Sequence, residues 1–497
     1  LQKNIFKYQV MIKNLFVFTI LLFGIQANAQ MAKKIKLQPN IILINIDDMG
    51  YGDTEPYGST GYATPNFNKL SREGMRFTHF YAAQAVCSPS RAALLTGCYP
   101  NRIGLSGGAL MPTSKKALNP AESTIASLLK AAGYKTGMLG KWHLGSKAPF
   151  LPLHYGFDSF YGLPYSHDMW PVDYSGNPIT DTSNWRINFP TLPVIEGDQQ
   201  VATITTLEQQ ATLTTTLTEK AEQFIIKNKA NPFFLYLAHP MPHVPLAVSK
   251  KFRGKTTEGL FGDVISEIDW SIGRVMAILD QTGLSNNTIL IVTSDNGPWL
   301  SFGNNAGSSG GLREGKGTAW DGGTRVPCFI RWRGKVAAGS ICSQLLTNMD
   351  ILPTIMAAVN ASLPKEKIDG LNFLPLLTGQ TNNSPRELFY VYYDANSLKL
   401  VRYKQWELVL PHTSQAYTQG TPGKDGKPGP TPVMPVTMAL YNLTHDPGTV
   451  YDVQKQYPEI LIQLLQYAEQ AREDLGDDLT NRKGKNIRAA AFVASPN

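Results

Sequence analysis

Ile41-Ile42-Leu43-Ile44-Asn45-Ile46-Asp47-Asp48 is an apolar run, rich in isoleucine, that ends in two carboxylates. A short continuous apolar run of this kind predicts a strand buried on both faces. The arrangement recurs along the chain. Residues 134–139 predict a strand leading into Gly140-Lys141-Trp142-His143, residues 233–237 one leading towards His239 and His243, and residues 288–293 one leading into Asp295-Asn296-Gly297. Between them apolar residues return at helical spacing. Ile125, Leu128, Leu129 and Ala132 do so within residues 121–132, and Ile265, Ile268, Ile272, Val275 and Leu279 within residues 264–281. Helices alternating with buried strands predict an α/β fold: a large, mostly parallel sheet flanked by helices. Such sheets bind ligands beyond the carboxyl ends of their strands, so these polar strand ends are expected to converge.

The rest of the chain is organised around that sheet. Residues 170–205 lack periodicity and read as long surface loops. A smaller C-terminal α+β subdomain with an antiparallel sheet is expected over 384–480, with strands at 388–393 and 398–410 and a closing helix at 458–475. The Gly- and Pro-rich residues 418–435 read as an exposed loop. The main domain is expected over 37–383 and a basic tail over 481–497; there are no internal repeats. Residues 1–29 read as an overlong start plus a secretory signal peptide. Met11-Ile12-Lys13-Asn14 precedes an apolar run over 15–25, and Ala27-Asn28-Ala29 supplies a cleavage site. That run is shorter than the roughly 20 residues that span a bilayer. The expectation is an exported protein, periplasmic or extracellular, with no stable membrane insertion.

Composition bounds the partners. The chain has 497 residues, 42% hydrophobic and 17% charged, which excludes a disordered chain. Four Cys are too few for a disulfide scaffold. The net charge of +8 suggests an anionic partner, but six lysines without an acid lie in residues 1–36 and four basic residues without an acid in 481–497. Residues 37–480 therefore carry a net −2. With no basic helix or interleaved aromatic stripe, nucleic acid is not an expected partner.

Asp47, Asp48, Asp295 and Asn296 are hard oxygen donors, suited to Ca²⁺ or Mg²⁺; each pair alone would equally make a turn or a helix cap. Cys87 reads as a small apolar residue, a reactive thiol or a disulfide partner. Cys328 and Cys342 could form a disulfide or remain two buried thiols.

Cys87-Ser88-Pro89-Ser90-Arg91 followed by Leu95-Thr96-Gly97, and then Gly133 to Lys141-Trp142-His143, resemble in order the two signatures of the type I, formylglycine-dependent sulfatases of the alkaline phosphatase superfamily. The resemblance runs from about Pro39 to Val453 and includes Gly315-Lys316-Gly317; Cys98 departs from it, standing where the family usually has Arg. It implies an alkaline-phosphatase-like fold, with residues 37–383 as catalytic domain. It also implies that a formylglycine-generating maturation enzyme converts Cys87 to Cα-formylglycine. One hydroxyl of the hydrated aldehyde would attack the sulfate ester to give a sulfo-enzyme, and deprotonation of the other would expel sulfate. Asp47, Asp48, Asp295 and Asn296 would hold Ca²⁺, with Mg²⁺ the second choice, and residue 87 would complete the shell. Arg91 would hold the hydrate and the carboxylates, Lys141 and Lys316 would bind sulfate, His143 would take the second hydroxyl's proton, and His243 would serve the leaving oxygen. Sulfated carbohydrates are the implied substrates. Two other readings compete: a phosphonate monoester or phosphodiester hydrolase of the same superfamily, and a carbohydrate-binding protein that has lost catalysis. His239 is ambiguous, and His167 and His412 lie in segments that could approach a sugar.

Overall fold

The computed structural model describes residues 38–493; the signal-like segment lies outside them. Strands β1 (Asn40–Ile46), β2 (Met75–Phe77), β3 (Lys135–Lys141), β4 (Ser159–Leu163), β5 (Leu192–Glu196), β6 (Gln199–Ile204), β7 (Phe233–His239), β8 (Thr288–Ser294), β9 (Cys328–Arg331) and β10 (Ser340–Cys342) form one mixed sheet. Their order is β10-β2-β9-β8-β1-β7-β3-β4-β5-β6. The central strands β8, β1, β7, β3 and β4 all run parallel. Every residue of β1 is buried because helices cover both faces. Ile41 and Leu43 face α1 (Cys87–Thr96) and α2 (Ile125–Ala131), while Ile42, Ile44 and Ile46 face α3 (Leu213–Asn228) and α4 (Gly259–Gln281). Each such side chain contributes roughly 1.5–3 kcal/mol of burial free energy.

The C-terminal region adds β11 (Leu388–Tyr392), β12 (Leu398–Tyr403), β13 (Trp406–Val409), β14 (His412–Gln415), β15 (Val433–Val436) and β16 (Ala439–Asn442). An antiparallel sheet of order β11-β12-β13-β16 packs under α5 (Pro458–Leu475), whose Leu464, Ala468, Ala471 and Leu475 meet Leu398, Leu400 and Leu408. β14 and β15 form a separate antiparallel pair. Residues beyond α5 fold back onto the body: Arg488 pairs with Glu122 at 2.7 Å, Arg482 with Glu469 at 2.5 Å, and Lys485 with Glu473 at 2.5 Å.

Several local expectations change. Residues 192–204 are not loop but the hairpin β5–β6, which extends the sheet beyond β4. Its outer strand is exposed along most of its length, so it carries no apolar run by which to recognise it. The helix expected from residue 121 starts at Ile125, where Thr124 caps it by accepting the Ser127 N–H at 3.1 Å. The loop over 418–435 ends in β15, paired with β14. Cys328 and Cys342 are free thiols. Both align with Phe77, from opposite sides of β2, so two strand spacings, about 9.5 Å, separate them; that exceeds disulfide reach.

Gly140 makes the end of β3 possible. Its φ is +101°, and a Cβ there would stand 1.9 Å from the Ala238 carbonyl oxygen on β7. Gly140→Ala is expected to cost about 3 kcal/mol or more, combining positive-φ strain with overpacking. Urea or thermal unfolding measures it, and a variant as stable as the parent would contradict the assignment.

Candidate active site

Strand register gathers the polar ends. Ile46 pairs with Ser294 on one side and His239 on the other, so Asp47 and Asp295 leave adjacent strands at the same level. The Asp295 N–H donates to the Ile46 carbonyl at 3.2 Å, and the Asp48 N–H donates to Asp295 Oδ1 at 3.2 Å. Asp48 adopts φ +62°, an uncommon left-handed turn that Asp tolerates better than most residues. The turn brings its carboxylate to Asn296, whose Nδ2 donates to Asp48 Oδ1 at 2.7 Å.

Cys87 opens α1 above this pair, and ligand atoms of Asp47, Cys87 and Asp295 all lie within 4.8 Å of one another. Arg91 follows four residues later, on the same helical face. Its Nε donates to Asp295 Oδ2 at 2.9 Å, Nη1 to the Lys141 carbonyl at 2.9 Å, and Nη2 lies 3.4 Å from Asp47 Oδ1. Lys141 ends β3 and reaches Asp47 Oδ2 at 2.5 Å and Ser166 Oγ at 2.9 Å. Lys316 Nζ holds Asp48 at 2.7 and 2.8 Å and stands 4.7 Å from the Trp299 ring centre. Cys87, Arg91, Lys141, Lys316, Asp47, Asp48, Asp295 and Asn296 thus form one buried cluster.

The two proposed proton-transfer histidines flank it. His143 Nε2 lies 2.9 Å from the Leu110 carbonyl, which can only accept, so Nε2 carries the proton and the unpartnered, buried Nδ1 presents a lone pair. Burial, then the charges of Lys141 and Arg91, hold its pKa well below the usual histidine value. His243 Nδ1 likewise donates to the Val244 carbonyl at 2.5 Å, and Nε2 lies 3.7 Å from Asp48 Oδ2. Burial and Lys316 lower its pKa. His167 supports His243 from behind, its Nε2 lying 2.8 Å from the His243 carbonyl. His239 points away from the cluster: its Nε2 meets Ser271 Oγ of α4 at 3.0 Å. His412 bonds the Leu410 carbonyl at 2.6 Å with Nδ1 and makes no contact with the cluster among the described residues.

Charge in the cluster is balanced, three carboxylates against Arg91, Lys141 and Lys316. Burial would raise Asp47, but Lys141 and Arg91 outweigh it and hold the carboxyl well below the usual range. Burial and the neighbouring Asp47 push Asp295 up, against the pull of Arg91 and Lys141. Burial pushes the Cys87 thiol up to about 11, so it stays protonated and is a poor nucleophile in this form. Asp47 Oδ1 and Asn296 Oδ1 are buried with no hydrogen-bond donor. Two buried oxygens that no hydrogen bond satisfies, in a cluster with three carboxylates, fit a hard divalent cation. Ser166 belongs to the site although its residue type gave no sign of it. The available signal was position: it follows β4, the parallel strand next to β3.

Fold and site together define a sulfate-ester hydrolase, and the chain belongs to the sulfatase family. The family profile "Sulfatase" matches residues 39–361, and that of the N-sulphoglucosamine sulphohydrolase C-terminal region matches 315–408. The chain is 36% identical to arylsulfatase A of Bos taurus over 462 residues, 87% of this chain and 86% of that one. It is 34% identical to the N-acetylgalactosamine-6-sulfatase of Mus musculus over 481 residues, 92% of this chain and 90% of that one. Among solved structures, the PsFucS1 sulfatase from Pseudoalteromonas sp. superposes with TM-score 0.78 at 27% identity, covering 89% of this chain and 91% of that one.

If these carboxylates hold a divalent cation, CaCl₂ added at about a hundred times its Kd to chelator-treated protein should stabilise the fold by roughly 2.7 kcal/mol, a Tm rise of a few degrees. Asp295→Asn should abolish that rise. Equal rises in both proteins would exclude the site.

Proposed function

We propose that the protein is an exported, Ca²⁺-dependent sulfatase that removes sulfate from a sulfated carbohydrate, with residue 87 as nucleophile after conversion to Cα-formylglycine. The observation that carries this reading is the placement of Cys87 at the N-terminus of α1, against Asp47, Asp295 and Arg91 and beside two lysines. The carbohydrate reading is supported by relatives. One is the N-acetylgalactosamine-6-sulfatase above, and another is the structure of Ps i-CgsB in complex with k-i-k-neocarrahexaose, with TM-score 0.73 and 27% identity. Export is supported by the pattern of residues 11–29 alone.

Conversion would supply a hydrated aldehyde whose hydroxyl is the nucleophile, in place of an inert thiol. Asp47, Asp48, Asp295 and Asn296 would hold Ca²⁺, whose positive charge favours both an ionised nucleophile and a bound sulfate. The all-oxygen donor set ranks Ca²⁺ ahead of Mg²⁺, which prefers several waters. The protein's own residues do the rest. Lys141 and Lys316, tethered at the carboxylates, offer ammonium groups to sulfate oxygens and to charge developing on them. Arg91 keeps Asp47 and Asp295 in register. Neutral His143 accepts a proton at Nδ1, because Nε2 is committed to Leu110. His243 rests neutral; sulfate binding adds negative charge that offsets Lys316 and favours its protonation at Nε2, from which it can serve the leaving oxygen.

A phosphonate monoester hydrolase of Agrobacterium radiobacter has the same fold, with TM-score 0.58 at 19% identity, a likeness of fold alone. The paired lysines and histidines favour sulfate. A purely binding protein would have no use for the complete set of buried groups around residue 87.

Co-expression with a maturation enzyme should lower the mass of the peptide containing residue 87 by about 18 Da, the exchange of the thiol for an aldehyde. The converted protein should release sulfate from 4-nitrophenyl sulfate faster than phosphate from 4-nitrophenyl phosphate. Cys87→Ser should keep the fold and lose at least about 1,000-fold in turnover, since a serine has no second hydroxyl with which to clear the sulfated state. An unconverted peptide, higher kcat/KM on the phosphate, or a serine variant that cycles normally would each overturn the reading.

A further inference from the structure

The cluster around residue 87 accounts for a sulfate group but for nothing that carries it. The shoulder of Lys316 is where the C-terminal region meets that cluster. Gly317 has φ +78°, and a Cβ there would lie 3.1 Å from Gln415 Oε1 and 3.2 Å from the Tyr393 hydroxyl. Its N–H donates to the Ala85 carbonyl at 2.9 Å, two residues before Cys87. Tyr393 directly follows β11, and Gln415 ends β14. Two side chains from the small C-terminal elements are therefore held over the backbone that joins a sulfate-site lysine to the nucleophile segment.

Both are held in a set orientation. The Tyr417 hydroxyl lies 2.7 Å from the Lys316 carbonyl and 3.1 Å from Gln415 Oε1. It holds one end of the carboxamide inward and leaves the other as the free end of an exposed side chain. Lys399 is 96% buried below this corner, with Nζ 5.4 Å from the Tyr393 ring centre and 3.1 Å from the Thr413 carbonyl, steadying the end of β14. Tyr393 is partly exposed, and its hydroxyl makes no hydrogen bond among the described residues. Burial and the neighbouring Asp394 raise its pKa, so it stays a neutral donor.

We propose that Tyr393 and Gln415 form a recognition subsite for a neutral polar substituent, a hydroxyl or an acetamido carbonyl, on the sugar that carries the scissile sulfate. A phenolic hydroxyl and a carboxamide are uncharged hydrogen-bonding groups with open faces. They suit a neutral oxygen substituent on a sugar ring, whereas a second sulfate or a carboxylate would call for a cation here. Lys399 does not meet that need, since its ammonium is committed to Thr413 and lies 3.9 Å from Asp394. The subsite rests on the carbohydrate sulfatase reading and extends it: the C-terminal region would select the substrate while the large domain supplies the chemistry.

The test uses converted full-length protein and two probes, N-acetylgalactosamine 6-sulfate and 4-nitrophenyl sulfate, which lacks the sugar. For Tyr393→Phe and, separately, Gln415→Glu, the ratio of kcat/KM on the sugar to kcat/KM on the phenyl ester should fall about fivefold or more, the effect of one lost neutral hydrogen bond. The loss should lie mainly in KM. Gln415→Glu keeps the shape but replaces a neutral amide with an anion, so it separates recognition from packing, and unchanged Tm values would verify both folds. Ratios within twofold of the parent in both variants would overturn the subsite while leaving the sulfatase reading intact. Parent protein that turns over the phenyl ester but no sugar sulfate in a panel of 2-, 3-, 4- and 6-sulfated hexoses and hexosamines would also overturn it. Parent protein that hydrolyses neither ester would overturn the sulfatase reading and the subsite with it.

Discussion

Arg91 stands between Asp47 and Asp295 in a place that water does not reach, and the rest of the site is arranged around that contact. Its side chain is fully buried, as are those of Asp47 and Lys141. Burying charges is costly, and removing one partner from such a group typically costs 3–5 kcal/mol because the remainder is left uncompensated. The cluster therefore survives only as a set. A buried parallel sheet supplies the rigid frame: register holds the two aspartates level, and a helix covering the sheet puts Arg91 one turn behind residue 87. The same geometry sets three buried cations against three buried carboxylates, while residues 37–480 carry a net negative charge.

This arrangement also explains why most of the enzyme is scaffold. Burial of apolar side chains on both faces of β1 stabilises a segment that ends in two carboxylates whose own burial is costly. Lys141 and Lys316 approach from opposite sides, from a strand end and a loop. Their ammoniums rest on Asp47 and Asp48, which keeps both positioned. His143 and His243 each spend one ring nitrogen on a backbone carbonyl, so burial and nearby cations leave the other nitrogen's state to be decided by what enters the site.

Much of this was readable from the chain, though unevenly. Strands β1, β7 and β8 were legible because continuous apolar runs reflect burial on both faces. The hairpin β5–β6 was not, since its outer strand faces solvent and its pairing depends on β4. The disulfide left open between Cys328 and Cys342 was decided by strand order, which places β2 between them. Ser166, Tyr393 and Gln415 are common polar residues with no distinguishing neighbours, and only the path of the chain brings them to the site.

Sequence alone placed oxygen donors at strand ends and Arg91 four residues after Cys87, and the resemblance to the sulfatases implied their chemistry. Residue types at strand ends and the spacing of Cys87 and Arg91 follow from local rules, a period of two in strands and 3.6 in helices, that hold before any tertiary contact forms. Tertiary structure decided which groups meet. Asp47 and Asp295 are neighbours because Ile46 pairs with Ser294; the lysines are paired and the histidines neutral because the interior excludes water; and Gln415 reaches Gly317 because a second sheet packs there. Proximity across hundreds of residues is set by the global minimum of packing, and no window of sequence contains it.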